Sequence, residues 1–117
     1  MAAMPEPNVA TADVVVEDNP EESRFEARLG DRVVGIAEYE LPDEAGPITF
    51  THTEVLEGVE GLGVGSRLAR GALDDVRRRG LRLVAECEFI AAYLKRHPDY
   101  EDLLARSPFV RIDEFDA

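Results

Sequence analysis

The sequence holds one cysteine, Cys87, and two histidines, His52 and His97, in 117 residues. One cysteine cannot close an internal disulfide, which points to a reducing compartment and a cytoplasmic location. One cysteine and two separated histidines make no metal cluster unless carboxylates join them, so no metal site is expected. Apolar runs are short, and none nears the roughly 18 residues that a membrane span requires. Residues 1–12 lack the basic start and apolar stretch of a secretory signal and read as a flexible N-terminal tail. Cations are scarce too: 13 Lys and Arg stand against 25 Asp and Glu, for a net charge of −12. That balance denies the chain the basic face that phosphate contacts need, so neither a nucleic-acid partner nor a membrane is expected. The acidity either keeps the protein soluble or draws a cationic partner toward it.

What is present suits one domain. The length falls within the single-domain range and allows a core without staples, and 44% of the residues are hydrophobic. The domain is placed at residues 13–106, with 107–117 as a C-terminal tail or a docking strand carrying Phe109, Val110, Ile112 and Phe115.

Alternation marks the first half as strands. A first strand is expected over 11–16 and a polar loop over 18–23. Phe25, Ala27 and Leu29 alternate on a second strand, Gly30-Asp31 turns, and a return strand over 32–41 packs Val34, Ile36 and Tyr39. A further turn over 42–46 leads to a long strand over 47–55. Strict alternation there puts Ile48, Phe50, His52 and Glu54 on one face, with Thr49, Thr51, Thr53 and Val55 on the other. The period then changes. Gly65, Leu68, Ala69, Ala72, Leu73 and Val76 recur at helical spacing. Gly80 supplies the stop, and Arg77, Arg78 and Arg79 occupy the last turn, where the helix dipole favours cations. A short strand over 81–85 follows, then a helix carrying Phe89, Ile90, Tyr93 and Leu94 that Pro98 ends. Strands followed by helix, strand and helix give an α+β (mixed α/β) fold.

The segment from Val55 to Ser66 joins strand to helix and contains Gly58, Gly61, Gly63 and Gly65. Free N–H groups and the dipole at a helix start make an anion site, and glycine lets the backbone turn or a ligand come close. The P-loop pattern fails, because Ser66-Arg67 follow the last glycine where Lys and Ser or Thr are needed. The dinucleotide fingerprint fails on spacing and on context, since an antiparallel meander precedes the glycines. Taken alone, the segment is either a phosphate cradle or a tight strand-to-helix turn.

Glu60-Gly61-Leu62-Gly63-Val64-Gly65 resembles the acetyl-CoA signature of the GNAT superfamily of N-acetyltransferases: Gln or Arg, two residues, Gly, one residue, then Gly or Ala. Gly63 and Gly65 match the glycines, while Glu60 departs from the Gln/Arg position. Residues 50–55 (Phe-Thr-His-Thr-Glu-Val), 85–89 (Ala-Glu-Cys-Glu-Phe) and 93–100, with Tyr93-Leu94-Lys95 and His97-Pro98-Asp99-Tyr100, look like the minimal branch of that superfamily. This branch comprises the YjdJ-type proteins and N-acetyltransferase domain-containing protein 1. The resemblance spans about 25–104. Glu88 replaces the proline that the branch tends to show after its cysteine, which should loosen the turn into the helix.

The resemblance implies a GNAT-like sheet whose strands splay around the pantetheine arm of coenzyme A, here along 53–55 and 84–86. It implies acetyl-CoA as co-substrate and a small-molecule or protein amine as acceptor. Val55, Gly61, Leu62, Gly63, Val64, Gly65, Ser66 and Arg67 would hold the cofactor, with Arg70 or Lys95-Arg96 as further cations. The reaction needs a base, an oxyanion donor and an acid. His52 and Glu54 are candidate bases or structural strand residues. Tyr93 is either the acid facing the sulfur or a core aromatic four residues from Phe89. Cys87 is either an acyl-accepting thiol, aided by a helix start but opposed by Glu86 and Glu88, or a small buried hydrophobe; direct transfer is the favoured route. A non-catalytic CoA- or peptide-binding module is the alternative function. The chain has no room for the helices that usually follow the first strand in the superfamily, so a large or loosely selected acceptor is expected.

Overall fold

The computed structural model describes residues 14–56 and 63–105. The expected tail over 1–12, the segment over 107–117, and Gly58, Glu60, Gly61 and Leu62 of the glycine segment lie outside the described residues. The order is β1 (Val14–Asn19), β2 (Arg24–Leu29), β3 (Arg32–Glu40), β4 (Ile48–Val55), α1 (Val64–Arg78), β5 (Leu83–Ala85), α2 (Glu88–Arg96) and a 3₁₀ helix (Pro98–Leu103). The strands form one sheet in sequence order; the first four are antiparallel, and β5 lies parallel to β4. The α+β architecture expected from the sequence is the one observed.

The connections are short where the sequence carries turn residues. Asn19 to Arg24 closes with Glu22 N–H donating to the Asn19 carbonyl and Ser23 N–H to the Pro20 carbonyl, so β1 runs further than expected, through Asp18 and Asn19. Gly30, at φ 65, makes the β2–β3 turn. α1 ends as its glycine predicts. Gly80 adopts φ 72, its N–H bonds the Arg77 carbonyl, and Leu81 N–H bonds the Val76 carbonyl. This is the 6→1 and 5→2 pairing that satisfies two carbonyls at a helix end. β5 is shorter than expected because Leu81 belongs to that cap, where it is buried.

Both helices cover one face of the sheet. Phe25, Tyr39 and Phe50 cluster on that face with ring centroids 5.5 to 6.4 Å apart. Leu68, Ala72, Leu73 and Val76 of α1 are fully buried against it. The helix lies so close to β1 that a Cβ at Gly71 would stand 2.6 Å from Val16 Cβ. On the open face Glu26 is the one buried charge among the described residues. Asn19 and Arg24 donate to its Oε2 and Arg28 to its Oε1. These bonds, led by that of Asn19, hold its carboxyl below the usual range against the opposing effect of burial.

Two β-bulges correct the strict alternation read from the sequence. In β3, Gly35 pairs with Ala27 and Val33 with Arg28, so Val34 is the extra residue. Ala37 and Tyr39 therefore reach the core, and Ile36 pairs with Glu54 on the open face. In β4, Phe50 pairs with Tyr39 and His52 with Glu38, so Thr51 is the extra residue. A bulge of this kind inverts which side chains face the core. Thr51 braces it by donating its hydroxyl to the Glu38 carbonyl at 3.3 Å. Beyond this point Thr53, paired with buried Ala37, and Val55, paired with buried Gly35, face the helices. His52 and Glu54 face the opposite side and are exposed, not on the face of Ile48 and Phe50 as expected.

Candidate active site

β4 and β5 pair only over Ile48↔Leu83, Thr49↔Val84 and Phe50↔Ala85. The ladder ends on the Phe50 carbonyl, which accepts from both Glu86 N–H (2.9 Å) and Cys87 N–H (3.1 Å). From there β4 continues through residues 51–55, while the other arm turns into α2. The two arms part only beyond Phe50, so the edge expected along 84–86 is still held to β4. The divergence begins at Glu86-Cys87 and not at Val84, which is still paired.

Cys87 sits at the N-cap of α2 with extended φ and ψ (−88°, 135°), and its side chain does not cap the helix. The thiol instead turns across the gap, where Sγ lies 3.1 Å from Thr53 Oγ1. It is 7% exposed. Glu86 and Glu88 flank it and are exposed, and the carboxylate of Glu88 occupies the first turn of α2, where the helix dipole favours it.

On the other side of β4, His52 Nε2 and Glu54 Oε2 are 3.0 Å apart. The bond to Glu54 favours the charged imidazole and raises the pKa of His52, with smaller contributions from the charges of Glu54 and of Glu38 across the strand pair. The bulge thus places a thiol and a hydroxyl on the helix side of the gap and a titratable dyad on the open side.

Tyr93 does not join either group. It is 3% exposed, its ring stacks on His97 at 4.0 Å, and it lies 6.2 Å from Tyr100. Burial raises its pKa. Its contacts with His97 and Tyr100 match the core-aromatic alternative.

The described part of the glycine segment begins at Gly63, in the left-handed region (φ 78, ψ 15), as N-cap of α1. Its carbonyl accepts from Arg67 N–H, so the N–H groups of Val64, Gly65 and Ser66 precede the helical ladder. No carboxylate stands in this first turn, and Ser66 is exposed. Val64 is buried in the core. Gly65 has a second reason to lack a Cβ: the added atom would stand 2.8 Å from Phe89 Cζ. Here two helix starts touch, one following β4 and one following β5. Val55 packs beside them, its Cγ2 3.6 Å from the same point. Arg67 turns away, donating from Nη2 to the Val14 carbonyl at 3.3 Å, and its buried Nε has no partner among the described residues. Arg70, Lys95 and Arg96 are exposed.

Sequence reasoning placed Thr53 on the expected pantetheine edge but missed its contact with Cys87, the bulge at Thr51 and the contact of Phe89 with Gly65. Thr53 fell on the wrong face because no local signal marks the bulge at Thr51.

Comparison with known proteins supplies the family. The model of the GCN5-related N-acetyl-transferase family matches residues 24–103. The chain belongs to that family. A GCN5-like protein from Staphylococcus aureus, whose structure was solved by NMR, superposes with a TM-score of 0.59 at 21% identity, covering 82% of this chain and 92% of the other. That likeness supports the GNAT-like fold. A search of the curated proteins finds no match. No helix among the described residues is long and apolar enough to cross a membrane.

Proposed function

We propose that this member of the GCN5-related family transfers the acetyl group of acetyl-CoA to an amine, and that it belongs to the minimal YjdJ-type branch. The observation that carries the reading is the divergence of β4 and β5 beyond Phe50, with Thr53 and Cys87 facing each other across it. The residues present fit the co-substrate: an opened strand edge along 51–55, and a helix start at Val64, Gly65 and Ser66 whose N–H groups precede the helical ladder, with no carboxylate in its first turn. Gly61 and Leu62 join this cradle in the proposal. Acetyl-CoA supplies a thioester whose carbonyl carbon is open to nucleophiles.

The chain's own groups divide the work. His52, when neutral, takes a proton from the acceptor ammonium or from water, and Glu54 orients the imidazole through their 3.0 Å contact. Cys87 stands at the gap, where its sulfur can receive the acetyl group before the amine does. Tyr93 serves packing, stacked on His97. The open sheet face carries Glu38 and Glu54, and Glu86 and Glu88 are exposed beside Cys87, a charge pattern that favours a cationic acceptor. Only a tight turn separates β1 from β2. Among the described residues both helices pack on the other face, so a polyamine or a lysine on a protein surface has room to approach. The same charge pattern argues against a nucleic-acid or anionic-membrane partner.

The test is release of free thiol from acetyl-CoA with a panel of amines, including a polyamine and a basic peptide, beside calorimetric binding of CoA. Release that depends on the amine supports the enzyme. Binding with no release on any amine supports the non-catalytic module.

A further inference from the structure

We infer that Thr53 is a positioning residue acting through Cys87: its hydroxyl donates to Sγ across the gap and fixes the sulfur between the two arms. The inference deepens the acetyltransferase reading and rests on it for the meaning of the site, but its test does not. Three observations meet at this contact. The bulge at Thr51, braced on the Glu38 carbonyl, turns Thr53 toward the helices; a regular strand would have sent it to the open face. Cys87 at the N-cap of α2 leaves its own helix start uncapped and reaches 3.1 Å to Thr53 Oγ1 instead. The backbone of Cys87 is already committed, its N–H to Phe50 and its carbonyl to Ala91 N–H, so the side-chain contact fixes the one remaining freedom of the sulfur, its χ1.

The charges around the sulfur make that donor consequential. Glu86 and Glu88 flank Cys87 on its own segment and disfavour a thiolate. On β4, His52 and Glu54 turn to the opposite face. From α1, packed on α2 at Gly65, no carboxylate enters the first turn and Arg67 points to Val14. Lys95 and Arg96 lie in the last turn of α2, far along the helix. A hydroxyl that donates to sulfur is therefore the local group favouring the thiolate, together with the helix start itself. A hydrogen bond to the thiolate stabilises it relative to the thiol, and its loss should leave the sulfur a poorer nucleophile near neutral pH.

The experiment measures alkylation of the thiol by iodoacetamide in the full chain at one neutral pH, without acetyl-CoA. Cys87 is the only cysteine, so the signal has one source. Thr53→Val should slow alkylation by about 2- to 10-fold, the effect of one lost hydrogen bond, and Thr53→Ser should restore the rate. If the valine variant does not fold, Thr53→Ala carries the same expectation. An unchanged rate in the folded valine or alanine variant overturns the inference, as does a serine variant that reacts like valine. Because no co-substrate is present, that failure would leave the acetyltransferase reading untouched. Conversely, absence of turnover with a slowed thiol would count against the enzyme and leave Thr53 in its role.

Discussion

Gly65 and Phe89 meet where the two helices begin: a Cβ on the glycine would stand 2.8 Å from the phenylalanine Cζ. The contact ties the start of α1, which follows β4, to the start of α2, which follows β5. Phe89 lies two residues beyond Cys87, so the spacing of the two arms depends on this pair. Gly65→Ala should push the helices apart. Overpacking of this kind costs about 1–3 kcal/mol, and the gain in helix propensity returns up to about 1 kcal/mol. A net loss of about 1–2 kcal/mol, read as a Tm lower by roughly 5–10 °C, is expected. Gly63 provides the contrast, with φ 78 and no atom of the described residues within 4 Å of an added Cβ. Among those residues its constraint is backbone conformation, so Gly63→Asn should be nearly neutral, whereas Gly63→Val, β-branched in the left-handed region, should destabilise. A melting series on the four proteins, wild type included, checks both claims. Equal melting for Gly65→Ala and wild type would show that the helices do not press on each other there.

The His52–Glu54 dyad predicts a pH effect of defined sign. His52 has a raised pKa because Glu54 favours its charged form, and a base must be neutral to act. Activity should therefore climb with pH through that raised value. Glu54→Gln removes the charge and should move the acidic limb of the kcat/KM profile to lower pH, and NMR titration of the His52 ring should move with it. A limb that stays fixed while the ring titration shifts excludes His52 as the base. Little stability rides on the dyad, since the two side chains are 51% and 67% exposed.

Glu26 predicts a separate, purely structural pH dependence. Its folded-state pKa is lowered, first by the Asn19 bond and then by Arg24 and Arg28. A lowered carboxyl contributes stability above its unfolded value, the ordinary 4.5, and that stability is lost as pH falls through the folded value. Glu26→Gln should cost about 1–3 kcal/mol near neutrality, with the gap to wild type closing in acid. Chemical denaturation at several pH values measures it. A gap that is constant with pH would show that the charge of Glu26 contributes nothing.

These outcomes divide along the line between local and cross-strand information. The β2–β3 turn at Gly30, the α1 stop at Gly80 and the apolar face of α1 were legible because each is written in adjacent residues. The strand-to-helix junction at the glycines was legible for the same reason, and with it the family. The bulges at Val34 and Thr51 were not. Each follows from how two strands settle against a common core, and no residue at either position announces it. One extra residue moved His52 and Glu54 to the open face and brought Thr53 to Cys87. The place where strict alternation failed is thus the place where the proposed site lies. Tyr93 was ambiguous for another reason: helical spacing from Phe89 fits a catalytic or a core position equally, and the stack on His97 is what favours the core one.

The route of the acetyl group is the most consequential outcome to test. From sequence alone, direct transfer is favoured, because Glu86 and Glu88 should repel charge at Cys87 and Tyr93 is available as the acid. The structure changes both terms. Glu86 and Glu88 are exposed, so solvent and salt weaken their effect on the sulfur. Tyr93 is buried against His97, while Cys87 faces the gap with Thr53 as partner. A covalent route is therefore expected. The Cys87 thiolate attacks the thioester carbonyl, the bond from that carbon to the CoA sulfur breaks, and CoA leaves as a thiolate that takes up a proton. The amine then attacks the acyl-cysteine and returns the thiolate, giving its own proton to water. Intact-protein mass spectrometry after brief mixing with acetyl-CoA should show a single acetyl adduct that decays on addition of an amine acceptor. Cys87→Ala should abolish it. Steady release of CoA with an acceptor, in the absence of any adduct and with Cys87→Ala equally active, would establish direct transfer instead and return Cys87 to a packing role.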